Sequence, residues 1–211
     1  MTSRAAFRYR LIAFALSVIA VAACIVYVDR PVADFVEGHV RHTEFCVWLE
    51  LAIRPLDLVV LSALFFVFGC GFWVMSGREL RSWVETPLLC SWSAMWAVAA
   101  DIIFKHIFGR GWPDPTYIHD HLYGFHLLHG ATHWDSFPSG TAAISVAIVS
   151  VLWMRCPRWR ISGLLIVLSL LGAVVIANYH WLSDVIAGAF LGATIGWSTV
   201  RLHPASPSTA G

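Results

Sequence analysis

Six long apolar runs constrain the fold of this chain more than any other feature of its sequence. A helix that crosses a lipid bilayer needs roughly 17 to 25 mostly apolar residues, and each run reaches or approaches that length. The third and fourth runs are diluted by serines at their edges. The runs are Leu11–Val28, Leu58–Met75, Pro87–Phe104, Ser139–Met154, Ile161–Ala177 and Val185–Val200. We therefore predict an all-α integral membrane protein with six transmembrane helices.

Composition supports one membrane domain. With 58% hydrophobic and 13% charged residues, the chain is too apolar for an ordinary soluble domain. We divide it into an N-terminal span with an outer interfacial helix (1–57), a membrane core (58–200) and a short cytoplasmic tail (201–211). The net charge of +1 says nothing about nucleic acid, but the sequence has no basic block that could bind it, so we predict no nucleic-acid partner. The five scattered cysteines show neither a disulfide framework nor a metal-binding spacing.

The basic residues predict the orientation of the helices. With a cytoplasmic N-terminus, nine arginines fall on the inner side and five basic residues on the outer side, as the positive-inside rule requires. The inner set is Arg4, Arg8, Arg10, Arg78, Arg81, Arg155, Arg158, Arg160 and Arg201; the outer set is Arg30, Arg41, Arg54, Lys105 and Arg110. Both termini are then cytoplasmic. The polar segments 105–138 and 178–184 face outward, which in a bacterial inner membrane is the periplasmic side.

The first 57 residues allow two readings at their start. Three arginines before an apolar run are also typical of a signal peptide. The run continues past Cys24 to Val28, however, which favours an uncleaved span. Apolar residues then recur at helical spacing within Pro31–Asp57, which predicts a helix lying in the membrane interface.

The residues that carry chemistry gather at the end of the third run and in the loop that follows. Asp101 and Lys105 are four residues apart and share one helix face, so we interpret Lys105 as an anion ligand that Asp101 positions. A charge pair that only ends the helix is the alternative. The sequence G-R-G-W-P-D-P then breaks the helix and presents Arg110, whose forked donors suit a bidentate contact with phosphate.

Five histidines follow Arg110, and two further polar groups begin the later spans. The histidines are His119, His121, His126, His129 and His133; their spacing matches no familiar zinc site, so we predict no metal. Ser139 and Gly140 begin the fourth span and offer a hydroxyl and free backbone N–H groups to an anion. His180 and Asp184 flank the start of the last span, where the carboxylate would fix the imidazole tautomer. Together these groups indicate a phosphate site at the outer face.

As a set, these motifs resemble the type-2 phosphatidic acid phosphatase family, whose relatives include glucose-6-phosphatase and the vanadium haloperoxidases. The family signature reads Lys-x6-Arg-Pro, Pro-Ser-Gly-His and Ser-Arg-x5-His-x3-Asp. The matching residues here are Lys105, Pro113, Pro138, Ser139, Gly140, His180 and Asp184. The resemblance covers residues 58–200 and implies a six-helix membrane phosphatase without a cofactor.

The resemblance also assigns roles to single residues. It implies that His180 attacks phosphorus, that Asp184 orients His180, and that the phosphate is held by Lys105, Arg110, Ser139 and Gly140. The chain departs from the signature at Trp112 and Val174, where the family has arginines, and at Thr141, where it has the acid histidine. Arg110 is a candidate replacement for the first arginine. His133 and His129 are candidate substitutes for the acid.

We predict hydrolysis of a lipid phosphate or diphosphate at the periplasmic face through a phosphohistidine intermediate. Since a general acid is typically worth about 10²- to 10⁴-fold in rate, its loss predicts a preference for diphosphates, whose leaving groups need less protonation. The alternative is a catalytically impaired relative that binds a phosphorylated lipid or serves as a membrane partner. A third reading, a histidine-rich metal-binding or transport protein, is disfavoured because ionisable groups gather at one end of the helices.

Overall fold

The computed structural model describes the backbone of residues 3–53, 55–128 and 132–203, and the side chains of these residues except 3–7, 52 and 55–57. Within these ranges the regular secondary structure is entirely helical, and no element is a strand. The helices are α1 (Ser3–Ala23), α2 (Asp29–His39), α3 (Glu44–Ile53), α4 (Pro55–Met75), α5 (Glu85–Phe108), α6 (Gly140–Arg155), α7 (Arg160–Ile176) and α8 (Leu182–Leu202). Short π-helical turns at Cys24–Val28 and Pro113–Tyr117 and 3₁₀ turns at Ser82–Val84 and Pro157–Trp159 complete the helical elements of the described chain. The predicted all-α class is confirmed.

Five helical stretches of the described chain are long and apolar enough to cross a membrane. They are Arg8–His39, Leu58–Met75, Ser82–Phe108, Pro157–Ile176 and Leu182–Leu202. Each overlaps one of the predicted spans. The remaining predicted span forms α6, an apolar helix of 16 residues that is shorter than the others. The helices therefore indicate a membrane protein, while the count of six spans and the orientation of the termini stay predictions.

The first helix does not end with the predicted span at Val28. It continues into the segment that was predicted to lie in the membrane interface. A π-helical turn at Cys24–Val28 joins α1 to α2 without a break in the helix. The segment predicted as one interfacial helix forms α2 and α3, separated by a short turn. On α2, Asp29, Ala33 and Val36 are buried against the rest of the molecule. The end of the first helix therefore contributes side chains to the core.

The core lies where α5, α6 and α8 cross. Small side chains line this crossing, among them Ala97 of α5 and Ala143 and Ala147 of α6, all fully buried. Gly192 of α8 lies against the α6 backbone, and a Cβ added to it would lie well inside 3.0 Å of the Ala143 carbonyl. Gly188 and Gly196 meet α6 carbonyls in the same way. Glycines four residues apart let the two helices approach closely, as small residues do in membrane bundles.

The close crossing brings two distant polar segments together. Gly188 of α8 packs against the carbonyl of Ser139, the residue that precedes α6. The backbone N–H of Ser139 donates to the carbonyl of Asp184 at 3.0 Å. The first turns of α6 and α8 are thus held side by side at one end of the bundle. The predicted phosphate-binding and histidine segments meet there.

Substitution of Gly192 by alanine tests this crossing. The added methyl group would meet backbone atoms of Ala143 and Ala147, which cannot rotate away as a side chain can. We expect a loss of about 3 kcal/mol in the free energy of unfolding, the upper end of the usual cost of overpacking. The measurement is the unfolding midpoint in detergent.

Gly172→Ala is the matched control, because Gly172 lies within α7 and a Cβ there meets nothing within 4 Å. This control should be neutral or slightly stabilising, since alanine favours a helix over glycine by about 1 kcal/mol. Equal unfolding midpoints for the two variants would show that the α6–α8 contact is not tight.

Candidate phosphate site

The loop between α5 and α6 folds back onto the end of the bundle. Gly109 ends α5 in the left-handed conformation with φ 53°. Beyond it, the His126 N–H donates to the Gly109 carbonyl at 2.7 Å and the Ser136 N–H donates to the Arg110 carbonyl at 3.0 Å. These bonds fix Ser136 beside the start of α8.

His180 lies two residues before the start of α8, with its ring directed at this loop. Its Nδ1 is 3.1 Å from the carbonyl oxygen of Ser136 and 3.8 Å from Oδ2 of Asp184. A ring nitrogen that faces a carbonyl and a carboxylate carries the proton, so Nδ1 is the N–H and Nε2 keeps its lone pair. The structure thus brings His180 and Asp184 together as predicted and leaves the lone pair of Nε2 directed away from Asp184.

Asp184 is fully buried in the first turn of α8. Its Oδ2 accepts hydrogen bonds from the Ser136 hydroxyl at 2.5 Å and from the Trp181 N–H at 3.2 Å. Its Oδ1 accepts from Arg110. A carboxylate held on both oxygens keeps one orientation toward His180.

The Arg110 side chain is buried inside the protein and paired with carboxylates. Its side chain is 0% exposed, and its guanidinium donates to Asp184 on one branch and to Asp29, at 2.7 Å, on the other. It also donates to the Ser183 hydroxyl at 2.6 Å. Burial disfavours the charge, but the carboxylates of Asp184 and Asp29 outweigh it and raise the pKa of the guanidinium. With two buried carboxylates as partners, the arginine fork is bound within the protein, which differs from the predicted role as a phosphate ligand.

Asp29 is a site residue that the sequence analysis missed. It begins α2, is 1% exposed, and accepts hydrogen bonds from the Ser183 N–H at 3.1 Å and the Ser183 hydroxyl at 2.5 Å. Together with Arg110 it links the first helix to the start of α8. The only signal in the sequence is an acidic residue directly after an apolar run, which by itself does not point to a contact with Ser183, 154 residues away.

Lys105 and Asp101 form the predicted pair on one face of α5. The Lys105 Nζ is 3.0 Å from Asp101 Oδ2, and the side chains are 19% and 11% exposed. The carboxylate of Asp101 lies against Gly140, where a Cβ would come within 2.7 Å of Oδ2. Ser139 precedes α6, and its hydroxyl accepts from the Ala142 N–H at 3.4 Å. Lys105, Ser139 and Gly140 are therefore brought to one place, with Asp101 among them.

The three departures from the family signature lie around this place. Trp112 stands where the signature has an arginine; its ring is 6.1 Å from that of His180, and its indole N–H donates to Asp135 at 2.8 Å. Val174 is fully buried in an apolar cluster with Ala142 and Ala177. Thr141 lies in the first turn of α6. A tryptophan and a valine thus fill two positions at which the family has cations.

The structure describes only one of the two candidate substitute acids. His133 is exposed, with its ring 6.1 Å from the ring of Trp112 on the way to His180. His129 lies outside the described residues. Within the described ranges, no three His, Cys, Asp or Glu side chains lie close enough together to hold a metal ion.

A bundle of apolar helices with a histidine–carboxylate pair beside a helix N-terminus defines a membrane protein with a candidate anion site at one end. The model of the PAP2 superfamily matches residues 86–207, more than half of the chain, and the chain belongs to this superfamily. The resemblance noted from the motifs is confirmed. Asp29 lies outside the matched region.

Two relatives of the chain are both lipid A 1-phosphatases. The chain is 32% identical over 92 residues to the lipid A 1-phosphatase of Rhizobium johnstonii, covering 43% of this chain and 37% of the relative. It is 31% identical over 96 residues to the lipid A 1-phosphatase of Rhizobium etli, covering 45% and 39%. The chain thus spans less than two fifths of the length of each relative that it matches. No solved structure matches the chain.

Proposed function

We propose that this protein is a membrane phosphatase that hydrolyses a phosphorylated lipid through a phosphohistidine intermediate. The observation that carries the proposal is the placement of His180, with Asp184 on its Nδ1 side, next to the first turn of α6 and Lys105. Membership in the PAP2 superfamily and the two lipid A 1-phosphatase relatives support the same reaction class.

The geometry supports a two-step reaction. A phosphate held by Lys105 and the free N–H groups at the start of α6 presents phosphorus to Nε2 of His180. A P–N bond forms as the P–O bond to the leaving group breaks, and Asp184 stabilises the charge that develops on the ring. Water then attacks phosphorus, the P–N bond breaks, and inorganic phosphate leaves. Arg110 contributes indirectly, because it holds Asp184 in place and does not itself contact the phosphate.

A lipid fits the surroundings of the site better than a soluble phosphate ester does. An apolar groove of about 820 Å³ runs between α1, α5 and α8, lined by Phe14, Phe108 and Phe190 among others. Its wall includes Pro138, the residue directly before Ser139. An acyl chain in this groove would bring its phosphate to the first turn of α6. The burial of apolar surface there favours a substrate with a long hydrocarbon tail.

The orientation of the basic residues supports a site on the periplasmic side of a bacterial inner membrane. The short segments that contain Arg78 and Arg81, and Arg155 to Arg160, lie at the opposite end of their helices from Lys105 and His180. Short, arginine-rich loops stay on the cytoplasmic side. With α6 as a sixth span, both termini lie in the cytoplasm and the site faces outward.

The structure also offers some support for the alternative function, binding of a phosphorylated lipid without hydrolysis. Arg110 is bound by two carboxylates, and Trp112 and Val174 occupy positions of the family's phosphate-binding arginines. A site with so few free cations is also what a relative that only binds a phosphorylated lipid would have.

Trapping of the phosphoenzyme separates the two functions. The protein in detergent micelles is incubated briefly with a ³²P-labelled lipid monophosphate or lipid diphosphate of the same chain length, then quenched in base. We expect label on the protein that is stable in base and lost in acid, as a phosphoramidate bond requires, together with released inorganic phosphate. Binding of the labelled lipid without either product would establish the binding protein instead.

A further inference from the structure

Asp101 is a buried carboxylate with an unused oxygen at the place where the phosphate is expected. The residue is 8% exposed, and its Oδ1 has no hydrogen-bond partner within the described chain. A Cβ on Gly140 would come within 2.7 Å of Oδ2 and 3.1 Å of Oδ1. The carboxylate therefore reaches the first turn of α6 from the neighbouring helix α5. A buried carboxylate with one oxygen unpaired is costly unless it is protonated or has a role that requires it.

The position of Asp101 matches the position of the missing acid. Thr141, which stands where the family has its acid histidine, directly follows Gly140 in the first turn of α6. The absence of a side chain at Gly140 is what leaves room for the Asp101 carboxylate there. His180 and Asp135 also lie near enough to Asp101 to interact with it electrostatically. The carboxylate thus stands among the nucleophile, the phosphate ligands and the replaced acid.

The balance of charge favours a protonated Asp101 when substrate is bound. Four carboxylates, Asp29, Asp101, Asp135 and Asp184, lie at this end of the bundle with two cations, Lys105 and Arg110. Adding a phosphate monoester brings a further charge of about −1.5 to −2 near neutral pH. A proton taken up by Asp101 offsets part of this charge. It also frees the Lys105 ammonium from its 3.0 Å ion pair, so that it can bind phosphate.

We propose that Asp101 is the general acid of this enzyme, in place of the histidine that Thr141 replaces. The inference rests on the phosphatase function proposed above. In the first step, Nε2 of His180 bonds to phosphorus, the P–O bond breaks, and the Asp101 proton passes to the leaving oxygen, which departs as an alcohol. In the second step, the Asp101 carboxylate takes a proton from the attacking water, and inorganic phosphate leaves as the P–N bond breaks.

This assignment changes the substrate range expected from the sequence. A chain without an acid should be restricted to diphosphates, because a simple alkoxide leaves poorly without a proton. With Asp101 as the acid, lipid monophosphates are also substrates. The restriction to diphosphates should appear only when Asp101 is replaced.

The experiment compares Asp101→Asn with the native protein on a lipid monophosphate and a lipid diphosphate that share one tail. Asparagine keeps the size of the side chain and an oxygen for Lys105, but it has no acidic proton. The ratio of diphosphate to monophosphate turnover should rise by about 10²- to 10⁴-fold in the variant, the usual worth of a general acid. Adding Thr141→His to Asp101→Asn restores a proton donor at the family position and should lower the ratio again by at least about tenfold.

Each other outcome has a definite reading. An unchanged ratio in Asp101→Asn, whether both activities fall together or neither falls, overturns the assignment and leaves Asp101 as a partner of Lys105. A rise of the ratio in His133→Gln instead would make that exposed histidine the acid. Failure of the phosphatase function itself looks different, because the native protein would then release phosphate from neither lipid.

Discussion

His180→Ala is expected to abolish phosphate release from every lipid that the native protein hydrolyses. In the proposed mechanism the imidazole supplies the atom that bonds to phosphorus, and alanine offers no nucleophile in its place. Removal of a covalent nucleophile lowers turnover by roughly 10⁴-fold or more in enzymes of this kind, which would put the variant below detection. Release of inorganic phosphate in detergent micelles measures the effect, and base-stable label on the protein should vanish with it.

His119→Ala is the matched control for this variant. His119 is an exposed histidine of the loop between α5 and α6, at the same end of the bundle, and its only ion-pair partner within the described chain is Asp114, at 3.2 Å. Its replacement should leave phosphate release unchanged. Equal release from the native protein and from His180→Ala, with both folded, would exclude the phosphohistidine mechanism.

Arg110→Met is expected to cost about 3–5 kcal/mol in the free energy of unfolding, the usual result of removing one member of a buried ion pair. Methionine fills much of the same volume, but it leaves Asp29 and Asp184 buried and without their shared cation. At least one carboxylate must then take up a proton or move toward water. Since Asp184 orients His180, phosphate release should also fall in whatever fraction stays folded. Unfolding midpoints in detergent report the first effect.

Two further variants show whether the charge is the cause. Asp29→Asn combined with Arg110→Met removes one of the two stranded carboxylates and should recover part of the stability. Arg41→Met removes an arginine that also contacts two carboxylates, Glu50 and Asp114, but with a side chain that is 21% exposed. Its loss should be near 1 kcal/mol, as for partly solvated pairs. A loss for Arg110→Met no larger than for Arg41→Met would show that burial of the pair is energetically unimportant.

The sequence predicted most of the helices because long apolar runs leave a chain few other structures in a membrane. Five of the six predicted spans correspond to helices of sufficient length, and the sixth is the 16-residue α6. The pairings His180 with Asp184 and Lys105 with Asp101 were also predictable, because each joins residues four apart at a helix end. Local spacing was enough for these features.

The contacts that the sequence did not reveal depend on distant parts of the chain. Arg110 was expected to face phosphate, since its forked donors suit a bidentate contact with an anion. Its partners Asp29 and Asp184 are 81 and 74 residues away. The approach of Asp101 to Gly140 depends in the same way on how α5 packs against α6. Spacing along one helix predicts neither contact.

The hydrogen bond between Asp29 and Ser183 can form only late in the synthesis of the protein. Ribosomes deliver the first helix to the membrane long before the last, and 154 residues separate these two partners. Until α8 has been inserted, Asp29 and Arg110 have neither Ser183 nor Asp184 beside them. His180, the proposed nucleophile, therefore acquires its supporting groups only at the end of synthesis. An unfinished chain in the membrane should be unable to attack phosphorylated lipids around it.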